Sequence, residues 1–233
     1  MKNNLSIIIP VHNEVNSLEY VLKKWTFYLN KKEIFYEFIL CEDGSTDGTK
    51  DLIIKLQKKY NIKNETSFKR RGYGDAVLAG ISLSMFKYIL CIDGDGQCMP
   101  DNFGDFWDDR DKSDFIIGIR KPRNDPFIRL IYSNIFLILH KLLFPSKIKD
   151  PSCPYVFGKR ENFLNLIDLL GYMKEGFWWG FIGAAIKKSK SIQQINIKHY
   201  ERYDGQSVVY RINKMPSIIY RNIKGLILLR FNN

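Results

Sequence analysis

Two aspartates separated by one glycine, Asp93 and Asp95 in Asp93-Gly94-Asp95-Gly96-Gln97, carry the clearest chemistry in this 233-residue chain. Side chains at i and i+2 of an extended backbone point the same way. Both carboxylates could therefore converge on one hard cation, while Gly94 and Gly96 let the backbone approach a bulky anion. That combination suits a metal-bridged diphosphate. An isolated Asp-x-Asp is equally an acidic turn after a core strand, so other stretches have to decide. One is Glu42-Asp43 followed by Gly44-Ser45-Thr46-Asp47-Gly48-Thr49, in which Asp47 reads as a helix cap and Asp43 as a ligand.

Such carboxylates work only if strands deliver them to a common edge. Residues 88–92 (YILCI) form an apolar run of strand length that ends at Asp93, and residues 5–11 (LSIIIPV) form another that ends at His12-Asn13-Glu14. Val15, Leu18, Val21, Leu22, Trp25 and Leu29 then recur at helical spacing. A strand over 35–41 leads into the Glu42–Thr49 turn and a helix over 50–60. Arg70-Arg71-Gly72-Tyr73-Gly74-Asp75-Ala76 opens a helix whose Ala76, Ala79 and Gly80 allow close packing on a sheet. It lacks the glycine spacing of a dinucleotide fingerprint and does not follow the first strand, which argues against a Rossmann dehydrogenase. Alternating strands and helices predict a mostly parallel α/β sheet, whose strand ends line the ligand crevice.

Composition sets outer bounds. The net charge of +11 predicts attraction to polyanions without choosing among nucleic acid, an anionic bilayer and phosphorylated substrates. No nucleic-acid module is recognisable, and the cations lie mainly after residue 117, so a nucleic-acid partner is not expected. Cys41, Cys91, Cys98 and Cys153 have no metal-binding spacing and read as small core residues of a reducing compartment. The first strand begins without an apolar signal segment, so the expected location is cytoplasmic.

Together, Ile9-Pro10-Val11-His12-Asn13-Glu14, Glu42-Asp43-Gly44-Ser45-Thr46-Asp47-Gly48-Thr49, Gly72-Tyr73-Gly74-Asp75-Ala76 and Asp93-Gly94-Asp95-Gly96-Gln97 resemble the ordered motifs of family 2 glycosyltransferases of the GT-A fold, over roughly the first half of the chain. The resemblance implies a Rossmann-like sheet flanked by helices and a nucleotide-sugar donor. Pro10, Asn13, Glu14 and Asp43 would contact the nucleoside, with Gly72 also on the donor side. Asp93, Asp95 and Gln97 would hold Mg²⁺ or Mn²⁺ against the diphosphate, and Asp95 would be essential to turnover.

The second half concerns the acceptor. A strand over 114–120 precedes a helix over 126–144 that is apolar around most of its circumference. Its longest uncharged run is half of the roughly 20 residues a membrane span requires, so it reads as a core helix or one lying in the membrane interface between basic flanks. Arg120, Arg129 and Ser133 resemble the lipid-phosphate positions of the dolichyl-phosphate mannose synthase and bacterial polyprenyl-phosphate glycosyltransferase subgroup. Arg202, within residues 195–207, resembles that subgroup's arginine over the active site. Asp150 stands where the subgroup has an Asp, but Pro154 and Val156 depart from the run that follows. The aromatic stretch Gly176-Phe177-Trp178-Trp179-Gly180-Phe181 reads as core or as a platform for sugar or isoprenoid. Residues 1–207 are expected to form the transferase domain and residues 208–233 a basic amphipathic segment giving peripheral attachment to the cytoplasmic membrane face. The expected reaction moves a hexose, from a GDP-mannose or UDP-glucose type of donor, to a polyprenyl phosphate with inversion. Transfer to a glycan hydroxyl, with Glu175 as base, is the alternative.

Overall fold

Burial of nearly every side chain marks β1 (Asn4–Val11) as an interior strand of the sheet. In the structure, a computed structural model, residues 4–123, 127–171, 173, 176–203 and 215–232 are described, with only the backbone of 127–129, 215 and 216. The other elements are α1 (Leu18–Lys31), β2 (Phe35–Asp43), α2 (Thr49–Leu56), β3 (Ile62–Ser67), α3 (Tyr73–Leu83), β4 (Tyr88–Cys91), a 3₁₀ turn (Pro100–Asn102), α4 (Phe103–Asp108), β5 (Phe115–Arg120), α5 (Phe127–Leu143), β6 (Val156–Lys159), α6 (Arg160–Leu164), α7 (Ile167–Leu170), α8 (Phe177–Lys187), β7 (Ile192–Ile197) and α9 (Met215–Phe231).

The strands form one sheet in the order β3-β2-β1-β4-β6-β5-β7, in which β6 runs antiparallel to β4 and β5 and the other pairs are parallel. Alternation along the strands fills two cores. Ile7, Ile9, Phe38, Leu40 and Leu90 face α1, α2 and α4, whereas Ile8, Ile39, Cys41, Ile89 and Cys91 face α3, α5, α8 and α9. This is the expected α/β sheet. Two strands were not anticipated: β3 has no apolar alternation because it is a half-exposed edge strand, and β6 is a four-residue run within a stretch read only for its loop. The helix expected over 50–60 stops at Leu56, and the four cysteines are free and buried.

Close approach of α3 to the sheet fixes the height of the loop that precedes it. A Cβ on Gly80 would stand 2.4 Å from Ile8 Cγ2 and 2.9 Å from Cys41 Sγ. Gly80→Ala gains about 1 kcal/mol of helix propensity but overpacks a two-strand contact, which costs about 1–3 kcal/mol. The expected net loss, up to about 2 kcal/mol, is read from the midpoint of urea unfolding at unchanged slope.

Candidate active site

The strand order reverses between β1 and β4, since β2 and β3 lie to one side of this pair and later strands to the other. In an open α/β sheet the crevice at that reversal is where ligands bind. Around it lie the loops after β1, β2 and β4, which are stitched together by side chain to backbone bonds. Asn13 takes φ +57°, a left-handed conformation that asparagine tolerates, and its amide oxygen accepts from Thr46 N at 2.8 Å while its own N–H donates to Ser45 Oγ at 3.0 Å. The N–H groups of Glu14 and Val15 donate to Thr49 Oγ1 and Asp47 Oδ2 at 3.0 and 3.2 Å. Asp47 thus has the capping role expected of it, also accepting from Thr49 N at 3.0 Å.

Asp43 ends β2 almost fully buried. Its two oxygens accept from the N–H groups of Arg71 (2.7 Å) and Gly72 (2.9 Å), which ties the start of α3 to the end of β2. Gly72 has φ +115°, a conformation that glycine adopts readily, and a Cβ there would meet nothing within 4 Å, so its freedom serves the backbone turn rather than packing. Pro10 is half-buried near the end of β1, with its carbonyl beside Gly94.

Three carboxylates face this crevice. Asp93 accepts from the Tyr73 hydroxyl at 2.7 Å, and Asp95 Oδ1 accepts from Gln97 N at 3.0 Å. Glu14 accepts from Ser17 Oγ at 2.7 Å and pairs with Arg202. Burial, and then the Asp95 charge, push the Asp93 carboxyl up to about 7; burial also raises Glu14, against the pull of Ser17 and Arg202. Residues 200–203 cross over this cluster. Tyr200 N donates to Gln97 O at 3.0 Å, Tyr203 N to Asp95 O at 3.1 Å, and the Tyr203 ring stacks on Tyr20 with centroids 4.5 Å apart. Arg202 Nε is buried without an acceptor among the described residues.

The donor set fits a hard divalent cation. Hard oxygens converge, Asp93 and Asp95 repel one another, and Gln97 adds an amide, although its Nε2 donates to Tyr200 O at 3.3 Å. Among the described residues no three His, Cys, Asp or Glu side chains form a metal cage. A cation here would complete its shell with phosphate oxygens and water, as Mg²⁺ commonly does.

Elsewhere the structure departs from expectation. Arg120, expected as a phosphate ligand, is engaged in a buried ion pair. Its Nε and Nη2 clasp the Asp150 carboxylate at 2.8 Å each, Nη2 also donates to Ser152 Oγ at 2.6 Å, and both Arg120 and Asp150 are buried. Burial alone would raise the Asp150 carboxyl, but the Arg120 bonds and charge outweigh it and hold it below the usual range. Ser133 Oγ accepts from Arg123 Nη1 at 2.9 Å, a partner that the sequence offered only as a flanking charge. The side chain of Arg129 lies outside the described residues, as do Glu175, Asp204, Gly205, Gln206 and Ser207. Phe177, Trp178 and Phe181 are core, and Trp178 Nε1 donates to the Tyr73 hydroxyl at 2.8 Å. Tyr73 and Trp178 were not found in the sequence as site residues.

Comparison with known proteins agrees with this geometry. The profile described as Glycosyl transferase family 2 matches residues 6–167. The chain belongs to that family. A dolichyl-phosphate beta-glucosyltransferase of Dictyostelium discoideum is 29% identical over 224 residues, covering 88% of this chain and 68% of the relative. Among solved structures, mannosyl-3-phosphoglycerate synthase from Rubrobacter xylanophilus superposes with a TM-score of 0.69 at 14% identity over 97% of this chain and 73% of its own. Glucosyl-3-phosphoglycerate synthase from Mycobacterium tuberculosis, in complex with Mn²⁺, UDP and glucosyl-3-phosphoglycerate, gives 0.69 at 16% identity over 98% and 80%. These likenesses establish the GT-A fold of this glycosyltransferase.

The buried pair supplies a stability test. Arg120→Met strands the Asp150 carboxylate, and losing one partner of a buried pair costs about 3–5 kcal/mol. Chemical denaturation of Arg120→Met should show a loss of that size, and the double variant Arg120→Met/Asp150→Leu should recover most of it.

Proposed function

We propose that this glycosyltransferase moves a hexose from a nucleoside diphosphate sugar to a polyprenyl phosphate at a membrane surface. The observation that carries the reading is the crowding of Glu14, Asp93 and Asp95 at the reversal of the sheet, beneath an arginine whose buried Nε has no acceptor among the described residues. Asp93, Asp95 and Gln97 would hold Mg²⁺ or Mn²⁺ against the donor diphosphate. When bound, the cation neutralises charge that builds on the departing nucleoside diphosphate. Arg202 already sits among the carboxylates and offers a further donor to a phosphate oxygen, while Asn13, Asp43 and the 42–49 turn shape the nucleoside end.

The acceptor side rests on α5. Ile131, Ile135, Ile138 and Leu142 are 43%, 59%, 63% and 74% exposed and recur at steps of four, three and four, which makes one apolar stripe left outside by the described residues. Exposed Lys121, Lys141, Lys147 and Lys149 flank it. No described helix is long and apolar enough to cross a membrane, so the stripe suits a helix lying in the interface. α9 contributes exposed Tyr220, Ile227 and Phe231, yet its Leu226 and Leu229 are core, so it is both packed and partly outward-facing. At the start of α5, Arg123 beside Ser133, with Arg129 on the same helix, would orient a phosphate through charge-assisted hydrogen bonds. A phosphate monoester has a second pKa of about 6, so its oxygen attacks the anomeric carbon without a protein base. The new bond from that oxygen to the sugar forms as the bond from the sugar to the donor phosphate breaks, and the departing diphosphate keeps the electron pair. The relative named as a dolichyl-phosphate beta-glucosyltransferase supports this acceptor class, whereas the structural neighbours' names support a small phosphorylated one.

Two measurements test the reading. Purified enzyme offered UDP- and GDP-hexoses with undecaprenyl or dolichyl phosphate should form a lipid-linked sugar in a reaction abolished by EDTA, and Asp95→Asn should lower the rate on the order of 100-fold or more. Product on 3-phosphoglycerate alone would overturn the lipid acceptor. Ile135→Asp/Ile138→Asp should release the protein from anionic vesicles in co-sedimentation and leave its urea unfolding midpoint within error of wild type; unchanged partitioning would overturn the membrane face.

A further inference from the structure

We infer that Tyr73 and Trp178 are positioning residues that hold the Asp93 carboxylate in the orientation that binds the divalent cation. The inference rests on the metal reading above and names two side chains to which that reading assigns no role. Trp178 Nε1 donates to the Tyr73 hydroxyl at 2.8 Å, and that hydroxyl donates to Asp93 Oδ1 at 2.7 Å. With Asp93 ionised, the form that binds a cation, the direction of this relay is forced, because an indole nitrogen can only donate and a carboxylate can only accept. The tyrosine's single proton is thus committed to Asp93 by its neighbour on the other side.

Rigid surroundings give the relay its leverage. Tyr73 is the first residue of α3, directly after Gly72, whose N–H is held by Asp43. Trp178 is 5% exposed, and its ring lies against Phe177 and Phe181 with centroids 5.0 and 5.5 Å apart. A phenol carries its proton at neutral pH, so Tyr73 is available as a donor to Asp93. One Asp93 oxygen is thereby fixed and the other is left to ligate. Outer-shell partners of metal ligands commonly act in this way, and their loss typically costs 10–100-fold in metal affinity.

A tie that only joined α3 to α8 would affect stability and leave metal affinity alone, so the test reads the metal directly. Mn²⁺ binding is measured by calorimetry in the presence of UDP and, separately, GDP. Tyr73→Phe should weaken Mn²⁺ at least about 10-fold, and the sugar-transfer rate should return toward wild type at saturating Mn²⁺. Trp178→Phe should weaken it by a smaller factor. The double variant should be no weaker than Tyr73→Phe alone, because the tryptophan acts through the tyrosine. Affinity of Tyr73→Phe within twofold of wild type, or losses that multiply in the double variant, would overturn the relay while leaving the metal site standing. If wild-type protein takes up no Mn²⁺ with either nucleotide, the metal reading falls and the relay with it. Should Tyr73→Phe fail to fold, unchanged Mn²⁺ affinity in Trp178→Phe overturns the inference and a weakened one supports it.

Discussion

Like charge held close in a poorly solvated crevice is the constraint on which the rest of the site depends. Glu14, Asp93 and Asp95 come from two different strand ends, and nothing in the sheet neutralises them outright. The protein answers each in a different way. Glu14 receives a serine and an arginine, Asp93 a phenol, and Asp95 a backbone N–H from its own turn. Neutral donors such as the Tyr73 phenol and the Gln97 N–H stabilise a carboxylate without cancelling its charge. An arginine on every carboxylate would have made a quiet ion-pair network instead. Arg120 and Asp150 show that outcome at the end of β5, where pairing is bidentate.

Holding such a cluster together requires loops that do not relax away from it. The 42–49 turn is bonded to residues 13–15 at several points, and Asp43 anchors residues 71 and 72, so the loops after β1, β2 and β3 are tied to one another. Segment 200–203 is attached differently. It contacts the Asp95 turn through two backbone bonds, meets α1 through a stacked tyrosine pair and meets the loop after β1 through the Arg202–Glu14 pair. Its grip is therefore polar and local, and part of it uses the same charges that a diphosphate would engage.

Where burial is complete, the sequence announced it. β1, β2, β4 and β5 are mainly apolar runs, and the acidic residues Glu14, Asp43 and Asp93 that follow or end the first three of them marked the crevice in the sequence. β3, with the pattern IKNETS, packs only as an edge, so no periodicity betrayed it. Side-chain partnerships were the least legible. Arg120 carried the same local pattern as a phosphate ligand, and only its 30-residue separation from Asp150, closed in the fold, turned it into a buried pair. Tyr73 and Trp178 are 105 residues apart; the first lay in a motif read for its glycines and the second in an aromatic run read as core. No local signal connects them.

The two faces of the sheet divide the labour in a way that follows from their chemistry. One core, under α1, α2 and α4, is dry and aromatic, with Trp25, Phe103, Phe106 and Tyr155 almost wholly buried, and it braces the loops on the donor side. The other core ends in α5 and α9, whose inner residues are packed while a stripe of isoleucines and a leucine on α5 remains outside. Apolar area left in water costs roughly 25 cal/mol per Å², so a continuous stripe persists at a penalty unless something covers it. A bilayer surface removes that penalty without a specific partner, and the lysines at both ends of the helix add attraction to anionic headgroups. The helix that bears the stripe also carries Arg129 and Ser133, so what docks the protein would also bring a phosphate headgroup to the donor's side of the fold.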